Sequence, residues 1–385
     1  KGSDLLGNKF EPLFPYFGEL EKEGCFQVLN DGYVTTESGT GIVHIAPGFG
    51  EDDFRVMSEA GIKSIVCPVN NLGKFTSEVD DLVDVYVKDA DKEIIKRLKS
   101  EGKFLEQSSY NHSYPFCYRT DTPLIYKAVP SWYVKVEQIR DKMVKNNQQV
   151  NWVPNHLKDG RFGNWLAGAR DWSISRTRVW GNPLPVWIND VNEKAICVGS
   201  TSELKELSGQ CPADLHRENV DGITFTIDGE EGTYHRVPDV LDCWFESGSM
   251  PYAQLHYPFE NKEVFEGGFP AEFIAEGLDQ TRGWFYTLNV LSTALFDKPA
   301  FKNVIVNGMI LAGDGKKMSK SLRNYTAPDD LMEEYGADAL RLTLITSGLV
   351  KAEDMRFTDD GVRDMVRRAL LPWFNAFKFF QTYAE

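Results

Sequence analysis

Lys317 and Lys320 stand three residues apart in a loop that opens with Gly313-Asp314-Gly315-Lys316 and also carries Met318, Ser319 and Ser321. Two ammonium groups on a glycine-flanked loop can close over a triphosphate and stabilise charge as pyrophosphate leaves. Short lysine clusters are more often solvated surface, and by composition alone that is the better reading. A second polar cluster, Glu276, Gly277, Asp279, Gln280 and Arg282, lies between the apolar run Phe273–Ala275 and the pair Trp284-Phe285. Carboxylates at a strand end can hold ribose hydroxyls, and a glycine there admits a nucleotide. A plain strand, turn and helix would explain Trp284 and Phe285 but leaves the polar residues without a role. In the first third of the chain, Thr40 and His44 precede Asp52 and Asp53. A lone histidine after a β-run is usually a hydrogen-bonded core residue, and the aspartates could simply cap a helix.

The strings that hold these residues are more specific than their composition. Lys317-Met318-Ser319-Lys320-Ser321 matches the KMSKS signature of class I aminoacyl-tRNA synthetases without a substitution. Asp279-Gln280-Thr281-Arg282-Gly283-Trp284-Phe285 resembles the string that separates isoleucyl enzymes from their valyl and leucyl relatives. Asp239 to Ser249 resembles another stretch of the family, with Cys243 and Glu246 as departures. Asp171 to Pro185 resembles the segment that returns the chain to the catalytic sheet, with Ser173 in place of cysteine, and no metal site is expected. Arg176 and Arg178 there could bind tRNA or the clamp loop, with surface salt bridges at least as good a reading. Thr35 to Phe54 resembles the core of the editing domain, with Phe49 where bacterial relatives often carry histidine.

The resemblance implies roles residue by residue. Lys317 and Lys320 would be catalytic, with Met318 and Ser319 beside the nucleotide. Glu276, Gly277 and Asp279 would contact the adenylate, while Trp244, Gln280 and Trp284 would border the amino-acid pocket. Thr40, His44 and Asp53 would serve editing, Asp53 holding the α-ammonium of a misattached amino acid as a buried carboxylate. The implied reaction joins isoleucine to tRNA(Ile) through isoleucyl-adenylate, with ATP and Mg²⁺, and hydrolyses mischarged valyl-tRNA. Editing follows from a physical limit, since one methylene is worth only roughly 1–3 kcal/mol of discrimination. Alternatives are a valyl or leucyl enzyme, a trans-acting editing deacylase, and a non-catalytic tRNA-binding paralogue. The family's H-x-G-H string and threonine-rich editing segment are not in this sequence, and the chain opens on Lys1, so an internal fragment is expected.

These residues need elements to position them. Phe273–Ala275, a helix over Gln280–Leu295, the run Val304–Val306 and then the lysine loop give the rhythm of a parallel α/β sheet with ligands at its carboxyl edge. Val28–Val34 and Gly41–His44 are expected as short strands, Asp91–Ser100 as a helix, and Pro328 as the opening of another. Val362, Val366, Leu370, Trp373, Phe377 and Phe380 have helical spacing, with a kink expected at Pro372. The fold class is therefore α/β. Residues 1–150 would be part of the editing domain, 151–325 the second half of a Rossmann-type catalytic domain, 326–360 connecting helices, and 361–385 the start of a helical anticodon-binding domain.

Composition narrows the setting. Hydrophobic residues make up 42% and aromatics 12% of 385, enough for real cores. Forty-two basic against 57 acidic residues give a net charge of −15, which argues against non-specific binding along a phosphate backbone. Six irregularly spaced cysteines without a C-x-x-C pair fit a reducing cytoplasm better than a disulfide framework. No apolar run nears the ~20 residues of a membrane span, and a monomer is expected.

Overall fold

A computed structural model describes residues 2–37, 40–109, 111–117, 120–320 and 322–384. The chain divides into two compact units, Lys1–Pro130 and Ser131–Glu385. The division falls 20 residues before the change of character at Asn151, because Val136, Met143 and Val150 are fully buried in the second unit's core.

The first unit holds two α-helices, α1 (Glu51–Glu59) and α2 (Val87–Ser100), among long connecting segments. The helix expected at Asp91–Ser100 is present, one turn longer at its start. The strands expected at Val28–Val34 and Gly41–His44 are not. A strand requires a neighbouring ladder, and the described residues of this unit make only isolated bridges, such as Lys9 with Gln27 and Val69 with Phe75. Ile42 and Val43 are accordingly 70% and 47% exposed.

The second unit is built on a three-stranded parallel sheet. Helix α3 (Arg140–Gln148) leads into the short strand β1 (Asn151–Val153). A small helix α4 (Cys243–Gly248) comes later, followed by β2 (Ala271–Gly277), α5 (Trp284–Phe296) and β3 (Phe301–Asn307). The order across the sheet is β2-β3-β1, with Gly277 in register with Asn307 and Val304 with Trp152. Trp152 anchors the core. Its ring lies 4.7 Å from Phe162 and edge-on to Phe285 at 5.9 Å, and its indole N–H donates to Asn147 Oδ1 at 2.9 Å. Val304 and Val306 are fully buried, as a central parallel strand requires. Phe273, on the edge strand β2, is 64% exposed, because α5 covers only one face there. Between the halves of the sheet, a four-stranded antiparallel patch packs Trp187, Phe225 and Tyr234 into a satellite core.

Beyond β3 the chain forms β4 (Ile310–Leu311), then helices α6 (Pro328–Tyr335) and α7 (Ala337–Ile345). Strand β5 (Met355–Arg356) pairs parallel with β4 and leads into α8 (Asp359–Met365) and α9 (Leu371–Tyr383). Leu331, Ala339, Phe357 and Val362 form a third core here. The backbone stays helical from α8 into α9 through a π turn at Val366–Leu370, directly ahead of Pro372. A π turn widens the ladder where proline supplies no N–H donor. Among the described residues, no helix is long and apolar enough to cross a membrane.

Gly308, just past β3, is packed so closely that a Cβ would overlap the Glu353 carbonyl. Gly308→Ala should destabilise the second unit by about 1–3 kcal/mol. Leu295→Ala, at a 57% exposed position, should stay within about 0.5 kcal/mol of wild type. Urea unfolding followed by tryptophan fluorescence checks both, since every tryptophan lies after residue 130.

Candidate active site

Asp242 organises the approach to the sheet's carboxyl edge. Its carboxylate is nearly inaccessible and caps α4 by accepting from the Trp244 backbone N–H at 3.3 Å. It also accepts from the Trp172 indole N–H at 3.1 Å and pairs with Arg176 at 2.9 Å. Arg176 additionally donates to the carbonyls of Ser173 and Ser175. Of the roles open to Arg176, the structure therefore gives it an internal one, tying the 171–176 segment to α4. Trp244 follows the cap in the first turn and remains 39% exposed.

The end of β2 turns directly into the polar cluster. Residues Leu278–Arg282 form a tight 3₁₀ turn, so the helix expected from Gln280 opens only at Trp284. Gln280 makes this transition: its Oε1 accepts from the Trp284 N–H at 3.0 Å, and its Nε2 donates to Asp279 at 3.2 Å. The Trp284 indole N–H donates to the Ser247 carbonyl at 2.9 Å, joining α5 to α4. Between them lies Gly283, where a Cβ would sit 2.7 Å from Gln280 Oε1 and 3.1 Å from the tip of the Trp244 ring. Only glycine fits. Trp244, Gln280 and Trp284 are thus assembled around one backbone position. Glu276 and Asp279 are exposed at the same strand end.

The lysine loop leaves the neighbouring strand. Asn307, level with Gly277, is four residues from Leu311, and Leu311 bridges Lys317. Four residues span at most about 13 Å, and bridged Cα atoms lie about 5 Å apart. Lys317 is therefore held near the sheet edge that carries Glu276 and Gly277. Met318 packs against the core of Leu331, Phe357 and Val362. Asn324 accepts from the Ser319 N–H at 2.9 Å and donates to the Lys317 carbonyl at 3.1 Å. Lys317 and Lys320 are exposed and form no ion pair with a described residue, while Ser321 lies outside the described residues.

The first unit holds the remaining residues. Asp53, in the first turn of α1, accepts from the Ala46 N–H at 3.0 Å, and the Tyr33 hydroxyl lies 3.4 Å from its other oxygen. It is half-buried rather than buried. Arg55, on the same helix, grips Asp31 through two bonds of 2.9 and 3.0 Å, and Asp31 also accepts from the Tyr33 N–H. No described hydrogen bond joins Thr40 or His44 to Asp53. Thr40 bonds locally to the backbone of Ile42, and His44 is exposed. Ser38 and Gly39, in the same stretch, lie outside the described residues.

The family model of class I tRNA synthetases (I, L, M and V) matches residues 43–356. The chain belongs to the class I tRNA synthetases. Its parallel sheet and covering helices are the mixed α/β catalytic fold of that family. An isoleucine–tRNA ligase of Treponema denticola is 57% identical over 395 residues, covering 100% of this chain and 36% of that protein. Cytoplasmic isoleucine–tRNA ligases of Caenorhabditis elegans and Mus musculus are 57% and 56% identical, each over 98% of this chain and over 34% and 30% of their own lengths. The chain spans about a third of the length of these curated relatives.

Several residues that hold these segments in place had no role in the sequence reading. Asp242 had a usable signal, an aspartate directly before a helix. Asn324, Tyr33, Asp31 and Arg55 act through contacts that neither periodicity nor motif exposes.

The Asp31–Arg55 pair gives a pH test of the first unit. Its hydrogen bonds with Arg55 hold the Asp31 carboxyl at about 2, below its ordinary 3.8. A depressed carboxyl stabilises the fold above its unfolded pKa and loses that contribution as pH falls through its folded pKa. Amide protection of α1 in wild type should therefore exceed that in Asp31→Asn above about pH 4, and the difference should fade toward pH 2.

Proposed function

We propose that this chain carries the ATP-handling half of the catalytic domain of an isoleucine–tRNA ligase, together with part of its editing domain. The observation that carries this reading is the loop geometry. Lys317 and Lys320 are unpaired cations on a fixed loop beside the strand end that bears Glu276, Gly277 and Asp279. An α-carboxylate oxygen of isoleucine would attack the α-phosphorus of ATP, and the bond to the bridging oxygen would break as pyrophosphate leaves. The two ammonium groups would neutralise the charge that develops on the departing phosphates. Glu276 and Asp279 can accept from ribose hydroxyls, and Gly277 lets the adenosine approach the strand. Trp244 and Trp284, fixed across Gly283, would line the pocket for the branched side chain.

Mg²⁺ suits this arrangement as a companion of the triphosphate. It keeps water ligands and takes substrate phosphates readily, and among the described residues no three His, Cys, Asp or Glu side chains converge into a cage. Its contribution would be to neutralise phosphate charge. A terminal ribose hydroxyl of tRNA(Ile) then attacks the isoleucyl carbonyl, forming the ester as the anhydride bond breaks and AMP leaves, with the whole protein acting as a monomer in the cytoplasm. Identity of 56–57% to isoleucine–tRNA ligases along the full chain supports isoleucine over valine or leucine. Editing is assigned to Asp53, a half-buried carboxylate that pairs with no described cation and could receive an ammonium group. Thr40 and His44 would complete that site around the tRNA end.

In the whole protein that carries this chain, pyrophosphate exchange should run faster with isoleucine than with valine or leucine. The opposite order would overturn the assignment. Lys317→Ala and Lys320→Ala should each lower kcat by about 10²–10³, with the KM for isoleucine little changed. Asp53→Ala should release valyl-tRNA from hydrolysis and leave exchange intact, as measured by accumulation of valyl-tRNA.

A further inference from the structure

We infer that Asn324 is a positioning residue for the two loop lysines. This rests on the proposed role of Lys317 and Lys320 in ATP chemistry and adds to it a residue outside the five-residue motif. The Asn324 side chain reaches back along the chain and makes two bonds of opposite polarity. Its Oδ1 accepts from Ser319 N–H at 2.9 Å, and its Nδ2 donates to the Lys317 carbonyl at 3.1 Å. The Arg323 N–H closes the same turn by donating to the Ser319 carbonyl at 2.9 Å. Arg323 and Asn324 are thereby folded back onto Lys317 and Ser319. Met318, the residue between the two bonded groups, is half-buried against Leu331, Phe357 and Val362 and fixes one side of the turn.

Two lysines need more than a flexible tether to act together. Each carries a long side chain with several rotatable bonds, and an unconstrained backbone would add to that freedom. Fixing the Lys317 carbonyl and the Ser319 amide sets the directions in which the Lys317 and Lys320 side chains leave the backbone. Neither lysine then needs an ion-pair partner to hold it in place, and none is present among the described residues. A short amide carries its donor and its acceptor on two separate atoms, so asparagine suits this position better than aspartate or alanine. Aspartate would keep the bond from Ser319 N–H and lose the one to the Lys317 carbonyl.

The test uses the whole protein, with isoleucine-dependent pyrophosphate exchange and thermal melting as readouts. Asn324→Ala should lower kcat by roughly 10- to 100-fold, leave the KM for isoleucine within about twofold, and melt near the wild-type temperature. A merely structural loss would lower the melting temperature and the active fraction without this selective fall in turnover. Asn324→Asp should retain part of the rate and fall between wild type and Asn324→Ala. It decides the matter if the alanine variant fails to fold. Wild-type turnover in either variant that folds overturns the inference, as does a kcat for Asn324→Asp no better than for Asn324→Ala. Failure of the wild-type protein to exchange with isoleucine would instead overturn the functional reading on which the inference rests.

Discussion

The register between two parallel strands governs the rest of the second unit. Gly277 lies level with Asn307, so two segments 30 residues apart in sequence end at one edge of the sheet. One ends in the carboxylates Glu276 and Asp279, and the other feeds the loop of Lys317 and Lys320. The register is secured from beneath. Val304 and Val306 are fully buried, Val304 pairs with Trp152, and the Trp152 ring is wedged between Phe162 and Phe285. A parallel strand displaced by one residue would turn Val304 and Val306 out of this core and bring Asn303 and Ile305 toward it. The apolar core thus fixes polar groups that it never touches.

Much of this arrangement was legible because periodicity and motif pointed the same way. The apolar run at Val304–Val306, the helix rich in apolar residues after Gly283, and the proline-led α6 all announced themselves through burial patterns and end signals. The strands β2 and β3 therefore came with the right direction, while the third strand β1 had not been expected. The first unit was much less legible. Val28–Val34 and Gly41–His44 have strand-like composition, but composition cannot supply a partner, and no ladder forms there. The helix expected from Gln280 begins four residues late because the Gln280 side chain itself caps the helix at Trp284. A propensity rule reads Gln280 as a helix interior residue, while its actual work is done by one oxygen at the helix entrance.

The residues that escaped notice share a physical character. Asp242, Asn324 and Asp31 are short polar side chains that hold backbone or cations in place. Asp242 alone receives the Trp244 amide, the Trp172 indole and the Arg176 guanidinium. Its partners are separated by up to 70 residues, so no local pattern could reveal it. A buried carboxylate with these donors, and the Cys243 thiol beside them, is well satisfied, and loss of any strong donor would leave part of a charge without compensation in a poorly solvated site. Short polar residues of this kind set the local geometry from which longer side chains extend.

The charge balance of the molecule sharpens the case for the loop lysines. Acids exceed bases by 57 to 42, so an exposed lysine has many carboxylates within reach. Others take them: Lys142 pairs with Asp297, Lys302 with Glu272, and Lys9 with Glu21. Such exposed pairs contribute little to stability, typically less than about 1 kcal/mol, but they do occupy the cation. Lys317 and Lys320 are exposed in the same acidic protein and pair with no described carboxylate. A cation kept clear of its own protein's acids does not have to release a partner before it meets a polyphosphate. The hydrogen bonds of Asn324 hold the backbone of Lys317 and Ser319, and both ammonium groups stay open to an anionic ligand.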